Sequence, residues 1–189
     1  QQPSAPGPQA LPAGKPIWVA TVTQDPFPTE TNGGAYIRTE GALTFNFKES
    51  GSATVTFPEF AAPFMAIAVI SDTPRTDGML LWRVRAVGDR SVSLRIDLSS
   101  QKADLIYQDK TTGVTEVLGH AVPLRDLSSS PMELAVLVRT PGYVVFIDGR
   151  PMIDVTESRL DTTSSALSMT ATGTTGMIAL IGLRVHEAP

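Results

Sequence analysis

Cysteine is absent from the 189 residues, which excludes a disulfide framework, a zinc–thiolate centre and a thiol nucleophile. Charge is scarce too: Asp, Glu, Lys and Arg make up 18% of the chain, against about 25% in an average soluble domain. The formal net charge of -4 argues against nucleic acid as a partner, because phosphate backbones are held by clustered Lys and Arg. No run of about 18 apolar residues exists to insert into a bilayer. The longest apolar stretch, 61–70, is short and contains Pro63. Aromatic residues contribute only 6%, too few for a clear aromatic-lined sugar cleft. His120 and His186 are the two histidines, and they form no His-x-His or His-x-x-x-His pair. The chain opens on Gln1 without a charged-then-apolar leader, which reads as a processed product or a fragment.

What fills the sequence instead is Ser, Thr, Gly and Pro around a 42% apolar fraction. That mixture favours strands and turns over long helices and is ample for one core. Residues 1–16 carry Pro3, Pro6, Pro8, Pro12 and Pro16. Such a segment is expected to be an extended or disordered linker, a stalk tethering the domain to a membrane or to another domain. From residue 17 the pattern is β throughout. Strands are expected at 17–23, 35–39, 42–48, 53–57, 64–71, 79–87, 91–98, 104–108, 116–119, 132–140, 143–148, 151–155, 167–171 and 177–186. Asn32-Gly33-Gly34, Glu49-Ser50-Gly51-Ser52 and Gly173-Thr-Thr-Gly176 read as turns between them. A short helical turn is expected near 157–160. The fold class is an all-β, two-sheet antiparallel sandwich or jelly roll, occupying residues 17–189 as a single domain.

Residues 143–155, Tyr-Val-Val-Phe-Ile-Asp-Gly-Arg-Pro-Met-Ile-Asp-Val, form the sharpest motif. Asp148-Gly149 tolerates the positive φ angles of a type I′ hairpin turn. Bulky side chains at nearly every position predict a strand covered on both faces. Val144, Phe146 and Ile153 are expected on one face, with Tyr143, Val145 and Ile147 on the other.

This hairpin, the preceding Met-Glu-Leu-Ala-Val-Leu-Val-Arg at 132–139, the following Thr156-Glu157-Ser158 and a closing strand at 178–186 resemble the concanavalin A-like and laminin G-like jelly rolls. Within them the pattern looks most like the 3-keto-disaccharide hydrolase sandwich domains of bacterial secreted proteins. Pro131-Met132 stands where many members carry Trp. The resemblance implies a concanavalin A-like fold, an extracytoplasmic setting and a sugar-related role. Calcium is common among such jelly rolls, and loop oxygens in 72–77 and 104–109 are the places to expect it; no other cofactor is implied.

Catalytic patterns are weak. Glycoside hydrolysis needs two carboxylates facing one cleft at roughly 5 or 6.5–9.5 Å, and no Glu-x-Asp-x-x-Glu strand supplies them. Glu157 and Asp161 fall in a loop, while hairpin geometry explains Asp148 and Asp154. No Gly-x-Ser-x-Gly elbow accompanies either histidine. Gly173-Thr-Thr-Gly176 has no lysine for phosphate.

One polar constellation exceeds what a plain core demands. In the 79–98 hairpin, Leu80, Trp82, Val84 and Ala86 alternate with Arg83 and Arg85, and Val92, Leu94, Ile96 and Leu98 alternate with Ser93, Arg95 and Asp97. Keeping both apolar sets on one side calls for an odd loop. A three-residue loop sets Arg83 opposite Arg95, with Asp97 diagonal to Arg83; a five-residue loop pairs Arg85 with Arg95. The face is either solvated and balanced by Asp97 or Glu116, or a shallow cationic groove for an anionic or hydroxyl-rich ligand. Arg83, Arg85, Arg95, Asp97 and Tyr107 are the candidate ligand-binding residues. Tyr36 and Tyr143 are further stacking platforms, whereas Trp82 is assigned to the core.

The leading expectation is a non-catalytic extracytoplasmic module binding or sensing a glycan or anionic cell-envelope polymer. A sugar-processing enzyme using Asp72, Asp77 or Glu157 is the alternative, and an adhesive protein-interaction domain is a third.

Overall fold

The computed structural model describes residues 10–20, 27–39, 41–73, 77–124, 130–160 and 164–189. In chain order the strands are β1 (Pro16–Val19), β2 (Thr29–Arg38), β3 (Leu43–Ala61), β4 (Phe64–Thr73), β5 (Met79–Val87), β6 (Arg90–Asp97) and β7 (Lys102–Asp109). β8 (Val114–Pro123), β9 (Met132–Arg139), β10 (Gly142–Ile147), β11 (Arg150–Val155), β12 (Ser164–Gly173) and β13 (Gly176–Glu187) complete the set. All described pairings are antiparallel, and of the helical turn expected near 157–160 the structure has a turn at 159–160. No helix is long and apolar enough to cross a membrane among the described residues.

Strand β3 belongs to two sheets. Its residues 43–47 pair with β13, and its residues 51–61 pair with β12. β2 follows both stretches along the other edge. The first sheet continues from β13 through β4, β9 and β10 to β11; the second continues from β12 through β5, β6 and β7 to β8. Asn32-Gly33-Gly34 and Glu49-Ser50-Gly51-Ser52, expected as turns, instead face each other inside these strands, Asn32 opposite Ser52 and Gly33 opposite Gly51. Gly173-Thr-Thr-Gly176 likewise closes no hairpin. It joins β12 and β13, which run end to end along β3. The backbones meet so closely here that a Cβ on Gly51 would strike Asn32 O and Ala35 N, and one on Gly33 would strike Ser50 O. Glycine is what lets the strands bend from one layer to the other.

Between the layers lies one large apolar cluster, with Phe45, Val55, Trp82, Leu94, Val136 and Met169 all fully enclosed. Alternation puts these residues inside and polar partners outside, as for any half-solvated antiparallel sheet. β10 differs, being buried at every position. Tyr143, Val145 and Ile147 enter the main cluster, while Val144 and Phe146 join Met65, Ile67 and Ala135 on the outer side of the first sheet. Asp148 and Gly149 have φ of 47° and 78°, the conformation of the expected I′ turn. Ile153, expected beside Val144 and Phe146, sits on the opposite face. A bulge at Met152 aligns Val145 with Ile153 and Phe146 with Pro151, which reverses the alternation beyond it.

A second bulge decides the orientation of the arginines. The 79–98 hairpin closes with a two-residue turn, Gly88-Asp89, and pairs Val87 with Arg90 and Arg85 with Val92. Continued regularly, that even register would set Arg83 against Leu94. Val84 is instead the extra residue between Arg83–Ser93 and Arg85–Val92. Trp82 thereby meets Leu94, Leu80 meets Ile96, and Arg85 is turned inward. Arg85 is only 1% exposed, so the expected pairing of Arg83 and Arg85 on one face is corrected. Neither expected register occurs: Arg95 lies opposite Leu81 on one side and Asp104 on the other.

Residues 10–16 of the expected linker pack on the sandwich, whereas 1–9 lie outside the described residues. Leu11 and Ala13 rest on the Met65–Phe146 cluster. The Gly14 amide donates to Glu187 O at 3.1 Å, and the Glu187 amide donates to Lys15 O at 2.8 Å. Of the strand expected at 17–23, β1 covers Pro16–Val19 against β13, and 21–23 lie outside the described residues.

Two outcomes follow for stability. Trp82→Ala should lower the free energy of unfolding by about 3–5 kcal/mol, read from a urea titration. Leu11→Asp should lower it by roughly 1–2 kcal/mol, because it withdraws apolar cover from Met65 and Phe146. An unchanged urea midpoint for Leu11→Asp would mean that the segment carries no packing energy.

Candidate functional site

The outer face of the second sheet gathers the polar side chains that alternation expels from the core. Three rungs cross it. Asn32, Ser52, Thr172, Met79 and Asp97 share the first; Thr54, Thr170, Leu81, Arg95 and Asp104 share the second. Thr56, Ser168, Arg83, Ser93 and Ile106 share the third. A groove of about 550 Å³ opens over the first rung, lined among others by Asn32, Ser52, Asp77, Asp97, Thr172 and Thr174. A smaller depression of about 320 Å³ adjoins it at Met79, Arg95, Lys102 and Asp104.

Two carboxylates border the large groove, and both are tied down by hydroxyl and amide donors. Asp77 accepts the Thr174 hydroxyl at 2.5 Å and its amide at 3.4 Å. Asp97 accepts the Ser99 hydroxyl at 2.7 Å and the amides of Ser99 and Ser100 at 3.0 Å. The Thr174 and Ser99 hydroxyls, followed by these amides, lower the respective carboxyl pKa values. Hydrogen bonding to the charged form favours ionisation, so both groups are carboxylates at neutral pH.

The arginines differ in their company. Arg95 is neutralised by Asp104, directly across the ladder, through Nε at 3.1 Å and through Nη2. Arg83 makes no ion pair among the described residues. Its Nε and the Ser93 Oγ are enclosed without a hydrogen-bond partner. Asp97 is on the same face but two rungs from Arg83, not diagonal to it.

Two of the expected binding residues stand apart from this face. Arg85 points inward. Tyr107 lies opposite Val92 and Glu116 and is 5% exposed; the Arg159 guanidinium covers its ring at 4.0 Å. Arg159 also donates to Glu116 at 2.8 Å and to Glu157 at 2.9 and 3.0 Å. These bonds raise the Arg159 pKa and lower that of Glu157. Glu157 therefore serves a clasp over Tyr107 and does not line the groove that Asp77 and Asp97 border. Tyr143 is fully buried, and Tyr36 lies under Lys48 and Arg38 at 5.2 and 5.4 Å. His186 Nδ1 is 2.8 Å from Gly14 O. The side chains of Asp72 and His120, and all of Asp161, lie outside the described residues.

Of the oxygens considered for calcium, three described carboxylates have protein partners, while the side chains of 72 and 73 and all of 74–76 lie outside the described residues. Asp104 holds Arg95, Asp109 caps the amides of Thr111 and Thr112, and Asp77 holds Thr174. No group of three or more His, Asp or Glu suited to a metal occurs among the described residues.

The groove residues Asn32, Ser52, Thr172 and Thr174 were not among the sequence candidates. Each lies in or beside a glycine-rich segment read as a turn. The available signal was their shared composition: Gly beside Ser, Thr or Asn, repeated three times.

Acid should weaken the fold through these carboxylates. A depressed folded pKa adds stability above the ordinary carboxylate range and loses it as pH falls through the folded value. The urea midpoint should thus decline from about pH 5 downward. Asp97→Asn, which keeps an acceptor for the turn, should flatten that decline. An identical pH profile in this variant would exclude Asp97 as a contributor.

No family model and no curated protein sequence matches the chain. Solved structures do. A Bacillus subtilis protein of unknown function with a galectin-like fold aligns with a TM-score of 0.72 at 10% identity, covering 93% of this chain and 97% of its own. The carbohydrate binding module CBM66 of Bacillus subtilis aligns at 0.59 and 10% identity, covering 86% and 97%. An endo-β-1,3-glucanase from Pyrococcus furiosus aligns at 0.68 and 11% identity, covering 91% and 94%. At such identities the likeness is one of fold, and the chain is an all-β jelly-roll sandwich of the galectin-like and concanavalin-like kind.

Proposed function

We propose that the domain is a non-catalytic, extracytoplasmic binding module that takes a glycan across the outer face of its second sheet. The observation that carries this reading is the groove of about 550 Å³ lined by Asn32, Ser52, Thr172 and Thr174. It offers amide and hydroxyl groups that both donate and accept, which suits a ligand made of hydroxyls. Carbohydrate binding by the module CBM66, and glucan cleavage by the glucanase, make sugars the natural ligand class to test on this scaffold. The net charge of the groove also matters. With Arg95 neutralised and Asp77 and Asp97 ionised, its floor suits neutral sugars rather than a uniformly anionic cell-envelope polymer.

The sugar-processing alternative has one observation in its favour, since Asp77 and Asp97 border the same groove. General-acid catalysis, however, requires one carboxyl to stay protonated near neutral pH, which enzymes achieve by raising its pKa. Both pKa values are lowered here. The 3-keto-disaccharide hydrolase reading would need an acid from elsewhere, and Glu157 is held ionised by Arg159.

A glycan array followed by calorimetry tests the proposal. Binding to a polysaccharide without product release is expected, and Asn32→Ala or Thr172→Val should weaken it by roughly three- to tenfold, the worth of one hydrogen bond. Absence of any glycan ligand, or full affinity in both variants, would overturn the reading. Release of reducing ends would replace it with the enzymatic one.

A further inference from the structure

We infer that Arg83 anchors an oxyanion substituent, a carboxylate or sulfate, of an acidic sugar unit lying next to the groove; this rests on the glycan-binding reading above and specifies its ligand. Four other arginines spend their charge inside the protein. Arg95 pairs with Asp104, Arg139 with Asp154, Arg159 with Glu157 and Glu116, and Arg184 with Glu133. Arg83 has no carboxylate within ion-pair distance among the described residues. Its cross-strand neighbours are hydroxyls, Ser93 on β6 and Ser168 on β12.

Burial makes this arrangement unusual. Ser93 is 1% exposed and Ser168 3%, although both lie on the solvent-facing side of the ladder. Ser93 Oγ is enclosed without a partner, as is Arg83 Nε. Leaving an enclosed donor unmet forfeits the hydration it had in the unfolded chain. A surface arginine with no structural role would extend into water and avoid that loss. Here the side chain is drawn down onto the sheet beside an unmet hydroxyl, while the guanidinium has no counter-ion among the described residues. A guanidinium fork is the side chain best shaped to take a planar or tetrahedral oxyanion through parallel N–H donors.

The neighbouring rungs set the ligand's polarity. Met79 and Arg83 are four residues apart on β5, so the Asp97 rung is about 13 Å from the Arg83 rung at 3.3 Å per residue. An oxyanion over Arg83 meets a cation, but one in the main groove meets the ionised Asp77 and Asp97. The glycan that fits carries its charge at one unit and hydroxyls alone at the units beyond. A chain charged at every unit fits worse.

Calorimetry with a short neutral oligosaccharide carrying a single terminal uronate unit, its carboxyl-reduced form, and a reduced form bearing one sulfate at that unit tests this. The wild-type protein should bind the uronate or the sulfated probe at least about tenfold more tightly than the neutral one, and the preferred arm identifies the oxyanion. Arg83→Gln should erase that preference while retaining the neutral probe's affinity, and Arg83→Lys should restore part of it. Equal affinity for all three probes, or a preference that survives Arg83→Gln, overturns the inference. In those cases, neutral binding that remains sensitive to Asn32→Ala leaves the glycan reading standing. Failure of every probe, and of the wider array, removes both.

Discussion

A strand that passes from one sheet to another must keep its backbone hydrogen-bonded through the bend, and β3 does so over nineteen residues. Its partners bend with it: β2 on one side, the β12–β13 pair on the other. Close backbone contact is possible because Gly33 and Gly51 bring no side chains to the crossing. The same lack of side chains leaves room above the sheet. Gly33, Gly51, Gly78 and Gly173 all line the main groove. Continuity of the ladder and the hollow over it are thus two results of one requirement. The polar side chains around that hollow are those the strand alternation cannot place in the core.

Parity explains most of what was legible in the sequence and most of what was not. The alternation at Leu43, Phe45 and Phe47, or at Val92, Leu94 and Ile96, identifies inward faces because regular strands repeat every two residues. Asp148-Gly149 was legible for a related reason: few residue pairs accept two consecutive positive φ values. A bulge breaks the repeat without leaving a composition signal. Val84 and Met152 look like ordinary strand residues, yet each reverses the alternation that follows. The cost fell on Arg85 and Ile153, whose faces could not be read. Pairing across the corner was equally hidden. Asn-Gly-Gly and Ser-Gly-Ser mark a turn in most settings, and only long-range register shows them to be opposite each other within strands.

The candidate site was legible in its sheet and partly in its residues. Arg83, Arg95 and Asp97 do share the outer face, since each lies on the regular part of its strand. Their relations were beyond reach because register depends on the bulge. The carboxylate that neutralises Arg95 belongs to the next strand, Asp104, and so distinguishes Arg95 from Arg83. Two arginines of the same local pattern thereby acquire different surroundings, one closed by an internal ion pair and one without an ion pair among the described residues. Tyr107 shows the limit of residue-type reasoning. It resembles a stacking platform in composition, but its platform is already occupied by Arg159.

The segment around Leu11 and Ala13 rests on the outside of the first sheet, and Gly14 and Lys15 are bonded to Glu187 at the end of the last strand. The described start and end of the chain therefore meet on one layer, while the groove opens from the opposite layer. Tension on residues 10–15 would load the β1–β13 seam and the apolar cluster beneath Leu11 before reaching the rungs that carry Arg83 and Asn32. The described terminal segments and the groove thus lie on different layers of the sandwich.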